Sequence, residues 1–210
     1  KLSHICRPDA ILATNTSSFL VTDVAEAVEK SDRVVGLHYF FHPAKNRLVE
    51  VIGHRGTSEA CLRAAWVFQE LIGKTPIASA DAPGFVVNRF FVPWLNEAVR
   101  LHEEGHAIAD IEAAAKASFG VGMGPFELMN VTGVPITLHA STSLAERLGD
   151  FYAPAATLKP QVDSGNPWDL SGDSSEAAAD VIIERLWGVV YNVSCQLVSE
   201  GVSTPEDTDI

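Results

Sequence analysis

Two histidines and one acid stand out in GLHYFFHPAKNRLVEVI, residues 36–52, as side chains able to do chemistry. His38 and His42 are spaced H-x-x-x-H, which brings two metal ligands together on a helix. Here the surroundings are aromatic and β-like, Pro43 follows at once, and no third ligand is near. On a strand, positions four apart lie about 13 Å from each other. We therefore predict no metal site.

A pairing of His38 with Glu50 has more to support it. His38 ends one predicted strand and Glu50 lies in the next, so a hairpin would bring them into hydrogen-bond contact. A carboxylate on one ring nitrogen fixes the imidazole tautomer and leaves the other nitrogen free as a general base. The alternative is a plain cross-strand pair on the surface, and spacing alone favours that alternative.

Three further polar or glycine-rich stretches have competing interpretations. NTSS, residues 15–18, follows a predicted strand, where α/β sheets bind ligands, but a helix-capping turn explains it equally well. Asn88, near the start of a long apolar helix, is a cap, a core amide or a substrate contact. GVGMGP, residues 120–125, follows a helix and is better explained as a turn between helices than as a phosphate loop. We find no dinucleotide-binding fingerprint.

The elements that must position these side chains change character at DAPG, residues 81–84. Strands are predicted before it over 10–14, 33–38, 48–52 and 75–80, and helices over 22–29 and 58–72, the latter with Thr57 as N-cap and Gly73 as stop. Helices are predicted after it over 86–104, 108–118 and 126–148. The predicted fold class is therefore α/β followed by all-α. The second and third strands are too close for a helix between them, so we expect an antiparallel hairpin.

The region after residue 150 is harder to interpret. Residues 151–175 are rich in Pro, Gly, Ser and Asp, which predicts a linker or loop. A last helix over about 175–200 repeats features of the first long helix at an offset of 96: Arg89, Asn96, Leu101, Glu104 and Gly105 recur as Arg185, Asn192, Leu197, Glu200 and Gly201. Either a helical unit is duplicated and its second copy is cut off, or two amphipathic helices end alike. The predicted domains are 1–80, 81–150, the linker 151–175, and the start of a second repeat over 176–210.

Composition excludes several classes of function. The net charge of −12, with no basic patch, argues against a nucleic-acid binder. No apolar run reaches the roughly 18 residues of a membrane helix, and no signal peptide is evident. Cys6, Cys61 and Cys195 are too scattered for a disulfide framework or a zinc site. Such cysteines suit a reducing compartment, and we expect a cytoplasmic protein.

Four segments, taken together and in order, resemble one family. ILATNTSSF, GLHYFFHPAKNRLVEVI, GKTPIASADAPGFVVNRFFVPWLNEA and GVGMGPFELMNVTGV are similar to segments of the L-3-hydroxyacyl-CoA dehydrogenases, over about residues 10–150. The resemblance implies a Rossmann-like NAD domain followed by a helical domain that forms a homodimer. It also implies NAD-dependent oxidation of (S)-3-hydroxyacyl-CoA to 3-ketoacyl-CoA, in fatty-acid β-oxidation or short-chain acyl-CoA metabolism.

The resemblance assigns roles by motif position. His38 would be the base that takes the hydroxyl proton, and Glu50 would orient it. Ser17 and Asn88 would hydrogen-bond the oxygen functions of the substrate. Asn15 would lie near the nicotinamide.

Two departures from the family pattern matter. The family's usual HFFNP is HYFFHP here, so Phe41 stands in place of the Asn and Pro43 comes one position later, while the distance from His38 to LVEV is unchanged. This variant resembles a branch of the family that is sometimes found in chains fused to an enoyl-CoA hydratase, and His42 is left without a role. The family's glycine-rich turn precedes the start of this chain, so we expect the isolated chain to bind NAD poorly and to be inactive. Two alternatives to a 3-hydroxyacyl-CoA dehydrogenase stay open: a related NAD-dependent hydroxy-acid dehydrogenase, and a non-catalytic helical dimerisation module.

Overall fold

The computed structural model describes residues 2–175 and 178–210, which form two compact units. One unit takes in the chain up to Asn88 together with Cys195–Ile210, and the other is Arg89–Ser194. The C-terminal segment joins the first unit through a hydrogen bond of 2.8 Å from Ala80 N to Val202 O. The change of character predicted at residues 81–84 thus falls just before the boundary between the units.

The first unit is built on a mixed sheet. Within the described residues its four strands are ordered β1 (Leu12–Thr14), β2 (Val34–Tyr39), β3 (Leu48–Gly53) and β4 (Thr75–Ala80). β1 pairs with β2 in parallel, β2 with β3 in antiparallel, and β3 with β4 in parallel. All four predicted strands are confirmed, and so is the hairpin.

The described residues also form ten α-helices. In chain order they are α1 (Leu2–Ile5), α2 (Val21–Ala25), α3 (Glu59–Leu71), α4 (Val87–Glu103), α5 (Ile108–Phe119), α6 (Pro125–Thr132), α7 (Val134–Leu148), α8 (Leu158–Ser164), α9 (Ala179–Ser199) and α10 (Pro205–Thr208). The prediction of Thr57 as N-cap of α3 was wrong. Ser58 caps that helix by accepting from Cys61 N at 3.3 Å, whereas the Thr57 hydroxyl donates to Val34 O.

Both faces of the sheet are covered, because alternate residues of a strand point to opposite sides. On one face, Val34 and Ile52 pack with Val21 of α2 and with Phe85. On the other face, residues such as Val35 pack against α3. Gly36 allows α2 to approach closely, since a Cβ there would lie 2.7 Å from a methyl carbon of Val21. His38 and Glu50 are in phase with the face that α2 covers.

The helical structure predicted over 126–148 is confirmed, but it is divided into two helices. The chain forms α6 and α7, with a break at Gly133, whose φ of 107° no helix accommodates. Pro135 then lies in the first turn of α7, where its missing N–H costs nothing. The predicted turn at residues 120–125 is confirmed between α5 and α6, with Pro125 as the first residue of α6.

The prediction of a linker or loop over 151–175 also needs correction. The segment contains α8, and its Tyr152, Leu158 and Trp168 are buried. Asn96, fully buried, donates to Tyr152 O at 3.3 Å, and Asn130 exchanges two hydrogen bonds with the backbone of Trp168. Amides far away in sequence thus satisfy the segment's backbone, which composition does not reveal.

α9 combines features that match the proposed repeat with others that do not. Leu101 and Leu197 are both fully buried, and Gly105 and Gly201 both have positive φ. Arg89, however, is buried, whereas Arg185 is partly exposed; the duplication stays a prediction. Contrary to the sequence expectation, α9 is long and apolar enough to cross a membrane by length and composition alone. Core helices of soluble proteins pass the same test.

Candidate active site

His38 and Glu50 lie directly opposite each other on β2 and β3. The His38 Nδ1 atom is 2.5 Å from Glu50 Oε2, and the side chains are 6% and 0% exposed. The predicted contact is therefore confirmed, and the alternative of a surface pair is wrong. A buried carboxylate needs hydrogen-bond donors on all sides, because isolated burial of a charge is very costly.

The other oxygen of Glu50 meets the start of α4. Glu50 Oε1 accepts from Val86 N at 2.7 Å and from Val87 N at 2.9 Å. The N-terminus of a helix also favours a negative charge through the aligned backbone dipoles. Glu50 thus has three donors, and two of them are backbone amides that cannot reverse their role. Sequence reasoning missed these amides, because they are 36 and 37 residues away and leave no pattern in side-chain types.

A tight turn orients the amides of Val86 and Val87 toward Glu50. Gly84 and Phe85 both have positive φ, 76° and 49°, and Phe85 is 1% exposed. A bulky residue in this left-handed region is strained and needs support from its surroundings. The support here is packing, since the Phe85 ring centroid lies 5.7 Å from that of His38. Phe40 contacts His38 edge-on at 4.7 Å, so two aromatic rings restrict the orientation of the imidazole.

This arrangement fixes the imidazole tautomer. Because Glu50 Oε2 is an acceptor, the neutral His38 carries its proton on Nδ1 and leaves Nε2 with a free lone pair. Nε2 is then able to take a proton from a hydroxyl group, and Glu50 stabilises the imidazolium that results. The geometry of the pair is thus suited to general-base chemistry, with the carboxylate orienting the ring.

The structure brings Asn15, Ser17 and Asn88 close to this pair. Asn15 Oδ1 accepts from Tyr39 N at 3.0 Å, one residue after His38. Asn88 follows Val87 and donates from Nδ2 to Ser17 O at 3.2 Å. Their roles toward substrate and cofactor stay predictions.

The alternative of a helix cap fails for the NTSS stretch. Leu20 is the N-cap residue of α2 and makes no side-chain cap bond. Thr16 Oγ1 instead accepts from the backbone of Ser18 and Phe19, which closes a local turn. The stretch is thus an ordered loop between β1 and α2, with its own internal hydrogen bonds.

His42 has a role in the turn between β2 and β3. Its Nδ1 accepts from Ala44 N at 3.2 Å, the bond that an Asn side chain makes in an Asx-turn. Its carbonyl accepts from Lys45 N and Asn46 N. Over residues 2–175 and 178–210 no group of three or more His, Cys, Asp or Glu side chains is arranged to hold a metal ion.

Comparison with known proteins identifies two family profiles. Residues 1–82 match the profile described as "3-hydroxyacyl-CoA dehydrogenase, NAD binding domain". Residues 84–174 match the profile described as "3-hydroxyacyl-CoA dehydrogenase, C-terminal domain". The second match includes most of the segment predicted as a linker.

Two curated relatives cover the chain to different extents. The mitochondrial hydroxyacyl-coenzyme A dehydrogenase of Mus musculus is 43% identical over 138 residues, which are 65% of this chain and 44% of that protein. The fatty acid oxidation complex subunit alpha of Shewanella amazonensis is 39% identical over 233 aligned residues, covering 98% of this chain and 33% of that protein. The chain therefore spans less than half the length of either relative.

A solved structure has the same fold. The (S)-3-hydroxybutyryl-CoA dehydrogenase PaaH1 from Ralstonia eutropha superposes with a TM-score of 0.75 at 30% identity, over 82% of this chain and 62% of that one. The fold is thus that of a Rossmann-like dehydrogenase with a helical C-terminal domain. The chain belongs to the 3-hydroxyacyl-CoA dehydrogenase family.

Proposed function

We propose that the complete gene product carrying these residues oxidises (S)-3-hydroxyacyl-CoA to 3-ketoacyl-CoA with NAD. The observation that carries the proposal is the buried His38–Glu50 pair, whose carboxylate is locked by the amides of Val86 and Val87. A general base held in one tautomer suits the removal of a hydroxyl proton. In addition, the relatives of the chain are named for this reaction class.

In this mechanism His38 Nε2 accepts the proton as the O–H bond of the 3-hydroxyl breaks. The C–H bond at the same carbon gives up a hydride, and the carbonyl forms from the oxygen lone pair. NAD, when bound, supplies the hydride acceptor. Ser17 and Asn88 hydrogen-bond the substrate oxygens, which holds the reacting carbon in place. Glu50 keeps the imidazole oriented and balances the charge that His38 gains.

The residues present fit NAD at the carboxyl edge of the sheet. β1 and β2 run parallel, and Asn15 follows the end of β1 while His38 lies near the end of β2. Dinucleotides bind at the carboxyl ends of such strands. Asn15, anchored on Tyr39 N through its oxygen, would meet the nicotinamide end of the cofactor.

The pathway, the further domains and the oligomeric state of the protein are part of the same proposal. Nearly the whole chain aligns with the Shewanella amazonensis relative, the alpha subunit of a fatty acid oxidation complex. This alignment supports the proposal of a role in fatty-acid β-oxidation, with an enoyl-CoA hydratase domain in the complete gene product. A homodimer formed by the helical domain is a further part of the proposal, and it rests on the family resemblance alone.

A matched pair of substitutions tests the function. His38→Gln removes the base, and the loss of general-base catalysis typically lowers the rate by about 10²–10⁴-fold. His139→Gln is the control, because His139 is exposed on α7. The assay follows NADH formation from (S)-3-hydroxybutyryl-CoA by the complete gene product. Equal turnover by His38→Gln and wild type would contradict the assignment.

Substrate controls separate the alternatives. A dehydrogenase of this family acting on CoA thioesters should leave the free 3-hydroxy acid unchanged, whereas a hydroxy-acid dehydrogenase should oxidise it. A non-catalytic module should produce NADH from neither compound.

A further inference from the structure

Asp81, the first residue after β4, reaches across to the start of α2. Its Oδ1 accepts from Val21 N at 2.7 Å, and its Oδ2 accepts from Thr22 N at 2.7 Å and from Thr22 Oγ1 at 2.6 Å. These bonds join positions 59 and 60 residues apart in the chain. A carboxylate bonded to backbone amides makes stronger hydrogen bonds than a neutral group.

α2 depends on this outside support. The helix has five residues, too few to be stable by itself, and its own N-cap residue Leu20 makes no side-chain cap bond. Helix N-termini leave backbone N–H groups without partners, and here Asp81 satisfies two of them. Asp81 therefore helps to fix where α2 begins, and so where the loop before it ends.

That loop, residues 15–20, carries the predicted substrate and cofactor contacts. Three contacts with segments elsewhere in the chain hold this loop and the residues that follow it. Asn15 is bonded to Tyr39 N, the carbonyl of Ser17 to Asn88, and the residues directly after the loop to Asp81. The first two anchors are neutral single bonds, whereas Asp81 contributes a charge and three bonds.

We propose that Asp81 is a positioning residue that holds the loop of residues 15–20 against His38, so that a substrate oxygen contacts both Ser17 and His38. This inference rests on the proposed dehydrogenase function. The segment from Asp81 to Asn88 then supports the whole site: Asp81 holds α2, the amides of Val86 and Val87 hold Glu50, and Asn88 holds Ser17.

Replacement of Asp81 by asparagine keeps the shape of the side chain but removes its charge and one of its two acceptor oxygens. In Asp81→Asn one oxygen becomes an NH2 group, which only donates. That donor must face either Val21 N or the two donors of Thr22, so at least one bond becomes a donor–donor contact. The start of α2 should move, and a misplacement of about 1 Å in a substrate-positioning group costs up to about 10²-fold.

The experiment compares three variants of the complete gene product at saturating NAD. Asp81→Asn should raise KM for (S)-3-hydroxybutyryl-CoA and lower kcat/KM by about 10–10²-fold. Thr22→Val removes one of the three bonds and should give a smaller effect. Glu26→Gln is the control: Glu26 is exposed at the C-terminal end of the same helix, away from the loop, and KM should stay within about twofold of wild type.

The rise in KM distinguishes positioning from a folding defect, because a loss of folded molecules lowers kcat and leaves KM unchanged. Hydrogen exchange adds a readout that needs no turnover: the amides of residues 16–22 should exchange faster in Asp81→Asn than in Glu26→Gln. Wild-type KM and wild-type exchange in Asp81→Asn overturn the Asp81 proposal alone. A wild-type protein that oxidises no 3-hydroxyacyl-CoA overturns the proposed function, and the Asp81 proposal with it.

Discussion

The replacement Glu50→Gln should abolish most activity while leaving the fold intact. Val86 N and Val87 N only donate, so they require the oxygen of the new amide at the position of Oε1. The NH2 group is then forced toward His38 Nδ1, where the carboxylate Oε2 now lies. His38 must accept there, and its proton moves to Nε2, the atom that should act as base.

The size of the effect follows from this tautomer exchange. In serine-protease triads the corresponding Asp-to-Asn change leaves the geometry intact and lowers kcat by about 10⁴-fold. Each tenfold corresponds to about 1.36 kcal/mol, so the barrier should rise by about 5 kcal/mol. Stability should change less, because every donor and acceptor around the new amide keeps a partner.

Two measurements test this reasoning. Steady-state NADH formation should give a kcat about 10⁴-fold lower for Glu50→Gln than for Glu59→Gln, an exposed glutamate at the start of α3. Nitrogen NMR of His38 should detect the Nδ1–H tautomer in the wild type and the Nε2–H tautomer in Glu50→Gln. A kcat within about tenfold of wild type, or an unchanged tautomer, would refute the argument that backbone amides fix the carboxylate.

Two further predictions concern stability and thiol chemistry. Gly124→Ala should lower the free energy of unfolding by about 1–3 kcal/mol in urea denaturation, because its Cβ would collide with the carboxylate of Glu112, which cannot move without weakening the bond that its Oε1 accepts from Phe126 N. Gly122→Ala, with open space around the new methyl group, should be near neutral. Burial, and to a smaller extent the nearby charge of Asp32, raises the pKa of the Cys61 thiol. The stability that this raised pKa contributes is present below the unfolded pKa and is lost as pH rises through the folded one. Alkaline unfolding curves should therefore be less steep with pH for Cys61→Ala, and a steeper dependence would contradict the assignment.

Local patterns were enough for the strands and for the hairpin that pairs His38 with Glu50. Runs of β-branched residues marked both strands, and a short connection left antiparallel pairing as the simplest arrangement. The same kind of reasoning failed at Gly133, because apolar periodicity continues on both sides of a backbone break. It also failed over residues 151–175, where a loop-like composition conceals a helix and buried aromatic side chains.

The sequence by itself determined the hairpin that joins His38 and Glu50, because that contact spans 12 residues. Only the tertiary structure decided how they are held. The amides on Glu50 and the donors on Asp81 come from positions 36 to 60 residues away, and backbone amides are the same in every residue type except proline. Their placement depends on the turn at Gly84 and Phe85 and on the packing of α2 against the sheet. No local pattern of side chains records such a contact.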